Sequence, residues 1–327
     1  MNTSSEIKDQ KPRIIQALLA GFNTVANKPY LMLFPVILDL FLWFGPGWRV
    51  DAFFTPLIQG VSGLSGLDIP EYTEMIESYQ AIWLDVVANI NLALTLRTLP
   101  IGVPSLMASK QPFINPIGQP LVFSLESGIQ VLLFWAIFLL VGFFLGNIYF
   151  KNISNQIVTI NDDNGFKSIM RSYLQIILLP VLLVLILLVL SVPLLFVITL
   201  ITMVSPAIGQ FAIIIAGMVV IWVIMPLVFT PHGIFLYKQN LIAAMMTSIN
   251  VVRVSMAQTA WFVVVSFLMI EGMDYLWRTP PADNWFLAVG ILGRAFIVSA
   301  VIASSFHYFI DATAFTQSVM NKDIKPA

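Results

Sequence analysis

The sequence predicts an all-α integral membrane protein, and three observations carry that prediction. Of its 327 residues, 58% are hydrophobic and only 10% are Asp, Glu, Lys or Arg, where a soluble chain holds near a quarter charged residues. Mean hydropathy is +0.89, so most of the surface has to face lipid. The apolar residues also gather into six stretches that can cross a hydrocarbon core of about 30 Å as helices: roughly 30–45, 121–149, 173–203, 206–230, 258–275 and 285–310. The expected architecture is one membrane domain, 1–327, of six transmembrane helices arranged as three units, each an elbow helix followed by a helical hairpin, with an acidic amphipathic helical cap on the outer face.

Composition also excludes functions. The 16 Lys+Arg and 17 Asp+Glu nearly cancel and form no basic face, which argues against a nucleic-acid partner. The absence of cysteine removes disulfides, thiolate nucleophiles, Cys-ligated zinc and iron–sulfur clusters. Glu6, Lys8, Asp9, Lys11 and Arg13 precede an amphipathic stretch with no charged-then-apolar pattern leading to a small-residue cleavage site, so no signal peptide is expected.

The first elbow, 12–28, sets Ile14, Leu18, Phe22 and Val25 on one helical face while Arg13, Gln16, Asn23 and Asn27 lie elsewhere. The first span follows and contains Pro35 and Asp39. The outer segment, 48–120, is acidic: Asp51, Asp68, Glu71, Glu74, Glu77 and Asp85 outnumber Arg49, Arg97 and Lys110. Within it, Asp68-Ile69-Pro70-Glu71 has the form of a helix start, with an N-cap residue, a first-turn proline and early carboxylates. Tyr72, Met75 or Ile76, Tyr79, Trp83, Val86 and Ile90 continue at helical spacing, and Gly102, Pro104, Pro112, Pro116, Gly118 and Pro120 make an irregular return. The segment is too short to hold much core, which favours a packed cap over a substrate domain. In the second span Gly142 and Gly146 stand four apart, and Ala295, Ser299 and Ala303 do so in the sixth, a spacing that lets backbones approach closely. Pro180 and Pro193 lie in the third.

An internal repeat organises the chain. Residues 17–25, Ala-Leu-Leu-Ala-Gly-Phe-Asn-Thr-Val, align with 244–252, Ala-Met-Met-Thr-Ser-Ile-Asn-Val-Val. Ser168-Ile169-Met170-Arg171-Ser172-Tyr173 fits the same frame without the Asn. The elbows are therefore expected at 12–28, 153–172 and 240–256, in the same orientation rather than as inverted repeats. With both termini cytoplasmic, eleven Lys and Arg fall inside (Lys8, Lys11, Arg13, Lys28, Lys151, Lys167, Arg171, Lys238, Arg253, Lys322, Lys325) and four outside (Arg49, Arg97, Lys110, Arg278), the bias of a bacterial plasma-membrane protein.

Ionisable groups inside spans are costly and are the natural functional candidates. Asp39, Glu126, Glu271 and Arg294 fall at similar depth in the outer part of the membrane and form a candidate intramembrane charge cluster. It could bind an anionic head group or carry protons, or it could be an ion pair holding spans together, and the second alternative is favoured because paired buried charges often specify packing only. Asp274 lies close enough to the interface to be read as solvated. His232 and His307 lack metal-type spacing, and no Walker loop, Gly-x-Ser-x-Gly elbow or His-Glu-x-x-His is present. No catalytic residue, metal or cofactor is expected.

The segment Phe229-Thr230-Pro231-His232-Gly233, followed by Asn240 to Arg253 with Ala244, Ser248 and Val252-Arg253, ends a span near proline, makes a short turn, and enters an Ala-x-x-x-Ser helix that leads into the next span. This resembles the membrane domain found beside some glycerophosphoryl diester phosphodiesterases and stand-alone multispanning proteins of that type. The resemblance implies an accessory, scaffold-like or lipid-contacting module; phosphodiesterase activity does not carry over, because that family's catalytic barrel needs about 250 residues. The function expected is therefore that of a non-enzymatic scaffold, assembly partner or lipid-interacting module, with a transporter or permease for a small anion or lipid as the alternative. The expected partners are membrane lipids, with other membrane-protein subunits as further candidates.

Overall fold

The computed structural model describes residues 11–62, 70–110, 113–158 and 165–323. Its helices are α1 (Ile14–Asn27), α2 (Leu33–Phe44), α3 (Asp51–Ser62), α4 (Pro70–Ala88), α5 (Gly128–Ile157), α6 (Phe166–Val204), α7 (Pro206–Ile224), α8 (Thr230–Tyr237), α9 (Leu241–Val254), α10 (Met256–Trp277) and α11 (Leu287–Asp323). Among the described residues five stretches, Gly128–Ile157, Phe166–Val204, Pro206–Tyr237, Met256–Trp277 and Leu287–Asn321, are long and apolar enough to cross a membrane. Ile14–Asn27 and Pro29–Phe44, broken at Lys28, make a sixth if taken together. The chain is thus a helical, multi-pass membrane protein.

It divides into two compact units, one of Met1–Lys28, Phe150–Leu268 and Ala300–Ala327, the other of Pro29–Tyr149 and Met269–Ser299. In the first unit, small residues every fourth position make the packing seams. On α1 the buried residues are Ala17, Gly21 and Val25. A Cβ on Gly21 would lie 2.5 Å from the carbonyl oxygen of Ala300 and 2.3 Å from the backbone nitrogen of Ser304, so glycine alone lets α1 come this near to α11. The hydroxyl of Ser304 donates to the carbonyl of Leu18 at 3.2 Å.

The equivalent positions of α9, Ala244, Ser248 and Val252, are buried in the same way. Ser248 repairs a broken helix: between α7 and α8, where Pro226 and Pro231 remove backbone donors, its hydroxyl donates to the carbonyl of Pro226 at 2.6 Å and accepts from the amide of Phe229 at 3.1 Å. Asn240 caps α9 by accepting from the amide of Ala243 at 2.8 Å. The repeated Asn23 and Asn250 are both exposed. The aligned small and apolar positions of the two helices are therefore the buried ones, and the asparagines lie outside them.

Boundaries differ from the sequence expectation in three places. Residues 121–127 are not helical, because Val122–Ser124 forms a short parallel strand pair with Gly47–Arg49, and α5 starts only at Gly128. Three-residue strands are too short to leave an alternation in the sequence. Residues 153–172 are shared between the ends of α5 and α6, with 159–164 outside the described residues. The last helix runs on to Asp323 instead of ending near 310.

In the second unit Asn91 ties strand to turn: its side-chain oxygen accepts from the amides of Trp48 at 3.0 Å and Ala93 at 3.1 Å. The helix expected after Asp68 is α4, and Asp68 itself lies outside the described residues. Tyr79, Ile82, Trp83 and Val86 of α4, at helical spacing, remain exposed. The lipid-facing character is greatest on α6, where none of the apolar window is buried within the chain, against 67% for Leu287–Asn321. An apolar helix exposed all round is the form a membrane span takes.

Gly142 and Gly146 pack within the chain, against the end of the 3-10 turn Leu92–Leu96 and the residues that follow it. A Cβ at 142 would stand 2.4 Å from the carbonyl oxygen of Leu96, and one at 146 would stand 2.8 Å from the Cα of Gly102. Gly142→Leu and Gly146→Leu should each cost about 1–3 kcal/mol, the range of overpacked sites, and lower the melting temperature in detergent. Gly217→Ala, where a Cβ meets nothing within 4 Å, should not lower it.

Candidate functional site

The buried charges of the second unit meet where α11 passes the end of α10. Close approach is set by two glycines: a Cβ on Gly290 would lie 2.6 Å from the carbonyl oxygen of Trp277, and one on Gly293 would lie 2.7 Å from the Trp277 ring. The next residue, Arg294, is thereby delivered to the carboxylate of Asp274, to which its Nη1 donates. The same Asp274 oxygen accepts from Nη2 of Arg278 at 2.7 Å, one helical turn along. Asp274 and Arg294 are 1% and 3% exposed, so the carboxylate and one guanidinium are out of reach of solvent, while the second, that of the half-buried Arg278, approaches the same oxygen from the surface. Burial of an arginine in this setting requires such a partner, since an isolated charge there would be strongly unfavourable.

Asp39 is equally buried but held differently. It accepts from the hydroxyl of Ser105 at 2.5 Å and from the backbone amides of Leu106 and Met107, both at 3.0 Å. It therefore caps the 3-10 turn Met107–Ser109 from another element, a role that suits a carboxylate at a helix start. Asp39 and Arg294 border one crevice with Pro35, Pro104, Ala295 and Val298, and that crevice is too tight to hold a water molecule.

Neighbouring bonds fix the turn after α10. Lys110 donates to the carbonyls of Arg278 and Pro280, the latter at 2.8 Å. Partial burial, and then the nearby Arg278 charge, hold its ammonium below the ordinary lysine value. The indole N–H of Trp43 donates to the carbonyl of Ala282 at 2.7 Å, and Asn115 donates to the carbonyl of Trp43 at 3.3 Å.

Of the four residues expected to cluster, the structure brings Asp39 and Arg294 to one crevice and keeps Glu126 and Glu271 apart from it. Glu126 is exposed before α5, and its amide donates to the side chain of Gln130 at 3.1 Å. The Glu271 side chain is 46% exposed and lies 4.0 Å from Arg278. Asp274, read from the sequence as solvated, is the carboxylate that pairs with Arg294. Its spacing of four from Arg278 was a visible sign. Its burial depends on the chain returning as α11, which no local pattern shows.

The histidines have separate hydroxyl partners. His232 meets Ser305 at 2.7 Å among Phe229, Phe306 and Phe309, and His307 meets Thr24 at 3.1 Å. Among the described residues no group of three or more His, Asp or Glu is placed to hold a metal ion.

Asp274→Asn should leave two guanidiniums sharing a neutral amide and cost about 3–5 kcal/mol, read as lost folding yield and a lower melting temperature. Glu271→Gln and Glu126→Gln, at exposed positions, should stay within about 0.5 kcal/mol of the parent. Compared with protein-family models, with curated proteins and with solved structures, the chain matches none.

Proposed function

We propose that this chain is a non-enzymatic membrane protein of the bacterial plasma membrane, a scaffold, assembly partner or lipid-interacting module, in which the intramembrane charges hold helices together and line no path. The observation that carries this is the closure around Arg294: its cation faces Asp274, and the crevice it shares with Asp39 has no room for water. A carrier needs its charges to meet solvent on at least one side in turn.

In this reading both termini are cytoplasmic, α1 and α9 are elbows at the inner surface, and α4 belongs to the outer face. The excess of eleven Lys and Arg over four supports that orientation. The Ala-x-x-x-Ser resemblance of 244–248 points to the same accessory or lipid-contacting class.

Orientation is testable because the chain has no cysteine of its own. A single cysteine at the exposed Asn284 should react with an impermeant maleimide on intact cells, and one at the exposed Asn240 only after permeabilisation. The reverse pattern would overturn the topology.

The role of the charges is tested with Arg294→Met. Folding yield should fall strongly, and Asp274→Leu combined with Arg294→Met should recover much of it, because an apolar pair replaces a buried ion pair at little cost. Wild-type yield for Arg294→Met, with loss of a proton or inorganic phosphate flux that the parent shows in proteoliposomes, would establish transport instead.

A further inference from the structure

The irregular segment that packs on Gly142 and Gly146 lies at membrane depth, within the second unit. The span α5 holds 30 residues, and Gly142 stands about 21 Å from its start and about 22 Å from its end. In a hydrocarbon core of about 30 Å that is near the middle. Gly142 approaches the carbonyl of Leu96, and one turn on, a Cβ on Gly146 would lie 3.1 Å from the carbonyl oxygen of Ile101. The chain therefore descends from Asn91, which is tied to the strand residue Trp48, and turns between Leu96 and Gly102. It then returns to Lys110, which binds the turn after α10. On the way back Asp39 accepts from the amides of Leu106 and Met107. The segment enters and leaves on one side of the span, the side on which α5 begins and α10 ends.

Irregular backbone is tolerated at such depth only where protein or a water-filled cavity covers it. Both flanks of the segment obey that rule, and Ile101, Val103, Leu106 and Met107 are at most 2% exposed. Its tip does not. Arg97 and Pro100 are exposed, and Leu99 is 75% exposed. The amides of Thr98 and Leu99 make no backbone hydrogen bond among the described residues. Arg97 is in no ion pair among them either. A cation left alone at this level is strongly unfavourable.

The same unit presents the opposite charge at the same level. α10 and α11 run antiparallel, with Trp277 against Gly290 and Asp274 meeting Arg294. Beyond Arg294, Ser299 meets Tyr149 of α5. Glu271, one turn before Asp274, therefore stands within about one turn of the level of Gly146. Its side chain is 46% exposed, and it lies 4.0 Å from Arg278, whose closer contact is Asp274 at 2.7 Å. Arg97 and Glu271 are thus two exposed ionisable groups of opposite sign where lipid supplies no counterpart.

From this geometry we infer that the tip of the re-entrant segment is an interface between two copies of this chain, with Arg97 of one copy facing Glu271 of the other. The second copy covers Leu99 and Pro100, which takes irregular backbone out of lipid. Opposite charges that meet away from water make short, strong contacts and fix the register of the two surfaces. In a two-fold dimer the pair forms twice, because each copy carries both partners. Acyl chains could cover Leu99, but they offer no acceptor to its amide and no counter-charge to Arg97. The inference deepens the assembly-partner reading above by naming the partner.

The test measures the mass of the full chain in mild detergent across a dilution series, by native mass spectrometry. The parent should form a dimer that dissociates on dilution. Arg97→Glu and Glu271→Arg should each weaken it about tenfold or more, and the two reversals in one chain should restore it. Arg97→Gln removes the charge without adding repulsion and should also weaken the dimer, while Glu126→Gln, at an exposed carboxylate elsewhere, should leave it unchanged. The melting temperature of each diluted monomer separates lost association from lost folding. In native membranes the absence of cysteine allows a second readout: Arg97→Cys and Glu271→Cys chains, co-expressed with different tags, should be joined by a disulfide on oxidation. A parent that stays monomeric at every concentration and gives no cross-link would overturn the interface, as would a dimer indifferent to both reversals. A different protein held in fixed ratio and released by Arg97→Glu would overturn the second copy as the occupant. Reaction of Leu99→Cys with an impermeant maleimide would show the tip facing water and overturn the interface as well. The mass and cross-link readouts are independent of the flux measurement that decides whether the chain transports.

Discussion

In a medium without water, a charge can stay only where the chain itself answers it, and Asp274 is where this chain does so. One carboxylate oxygen takes both Arg294 and Arg278, which fixes the end of α10 against α11. The turn that follows is then close enough for Lys110 and Trp43 to bind its carbonyls. Asp39 extends the same rule to backbone, satisfying two amides of an irregular segment that could find no water there. These polar contacts add specificity more than raw stability, because a well-packed apolar pair could replace a buried ion pair at little loss.

Small residues are the complement of that network. Gly290 and Gly293 bring Arg294 within reach of its partner, Gly142 and Gly146 admit the backbone between Leu96 and Gly102, and Gly21 admits α11. Lipid is as apolar as a leucine side chain, so helices gain little by hiding leucines from it; close backbone approach and hydrogen bonds have to supply the contact. Tyr149 and Ser299 illustrate the mixture, a buried hydroxyl pair at 2.8 Å between large and small side chains.

Much of this was legible in the sequence. Hydropathy located the long helices because a span must be apolar along its whole length, and the Ala17 and Ala244 frame marked real packing seams. Two kinds of feature were hidden. Val122–Ser124 joins a strand 75 positions earlier in a register only the folded chain defines, as the pairing of Gly47 with Val122 shows. Asp274 looked solvated because its depth depends on residues returning from another part of the chain. Counting depth along one helix gives position relative to the membrane and says nothing of what covers the side chain. For the same reason Glu126 and Glu271, at a matching calculated depth, turned out exposed.

The anchoring of α2 has a bearing on how the protein is made. Its Asp39 finds its donors 66 to 68 residues later in the chain, and the acceptor for Trp43 comes 239 residues later. Synthesis runs from the N-terminus, so α2 emerges with a carboxylate and an indole N–H whose partners do not yet exist. The helix that is made early is thus completed late, by a turn near the end of the chain. A ribosome that stops before that turn leaves behind a segment marked by unanswered polar groups, the kind of defect by which membrane quality control tells an unfinished chain from a finished one.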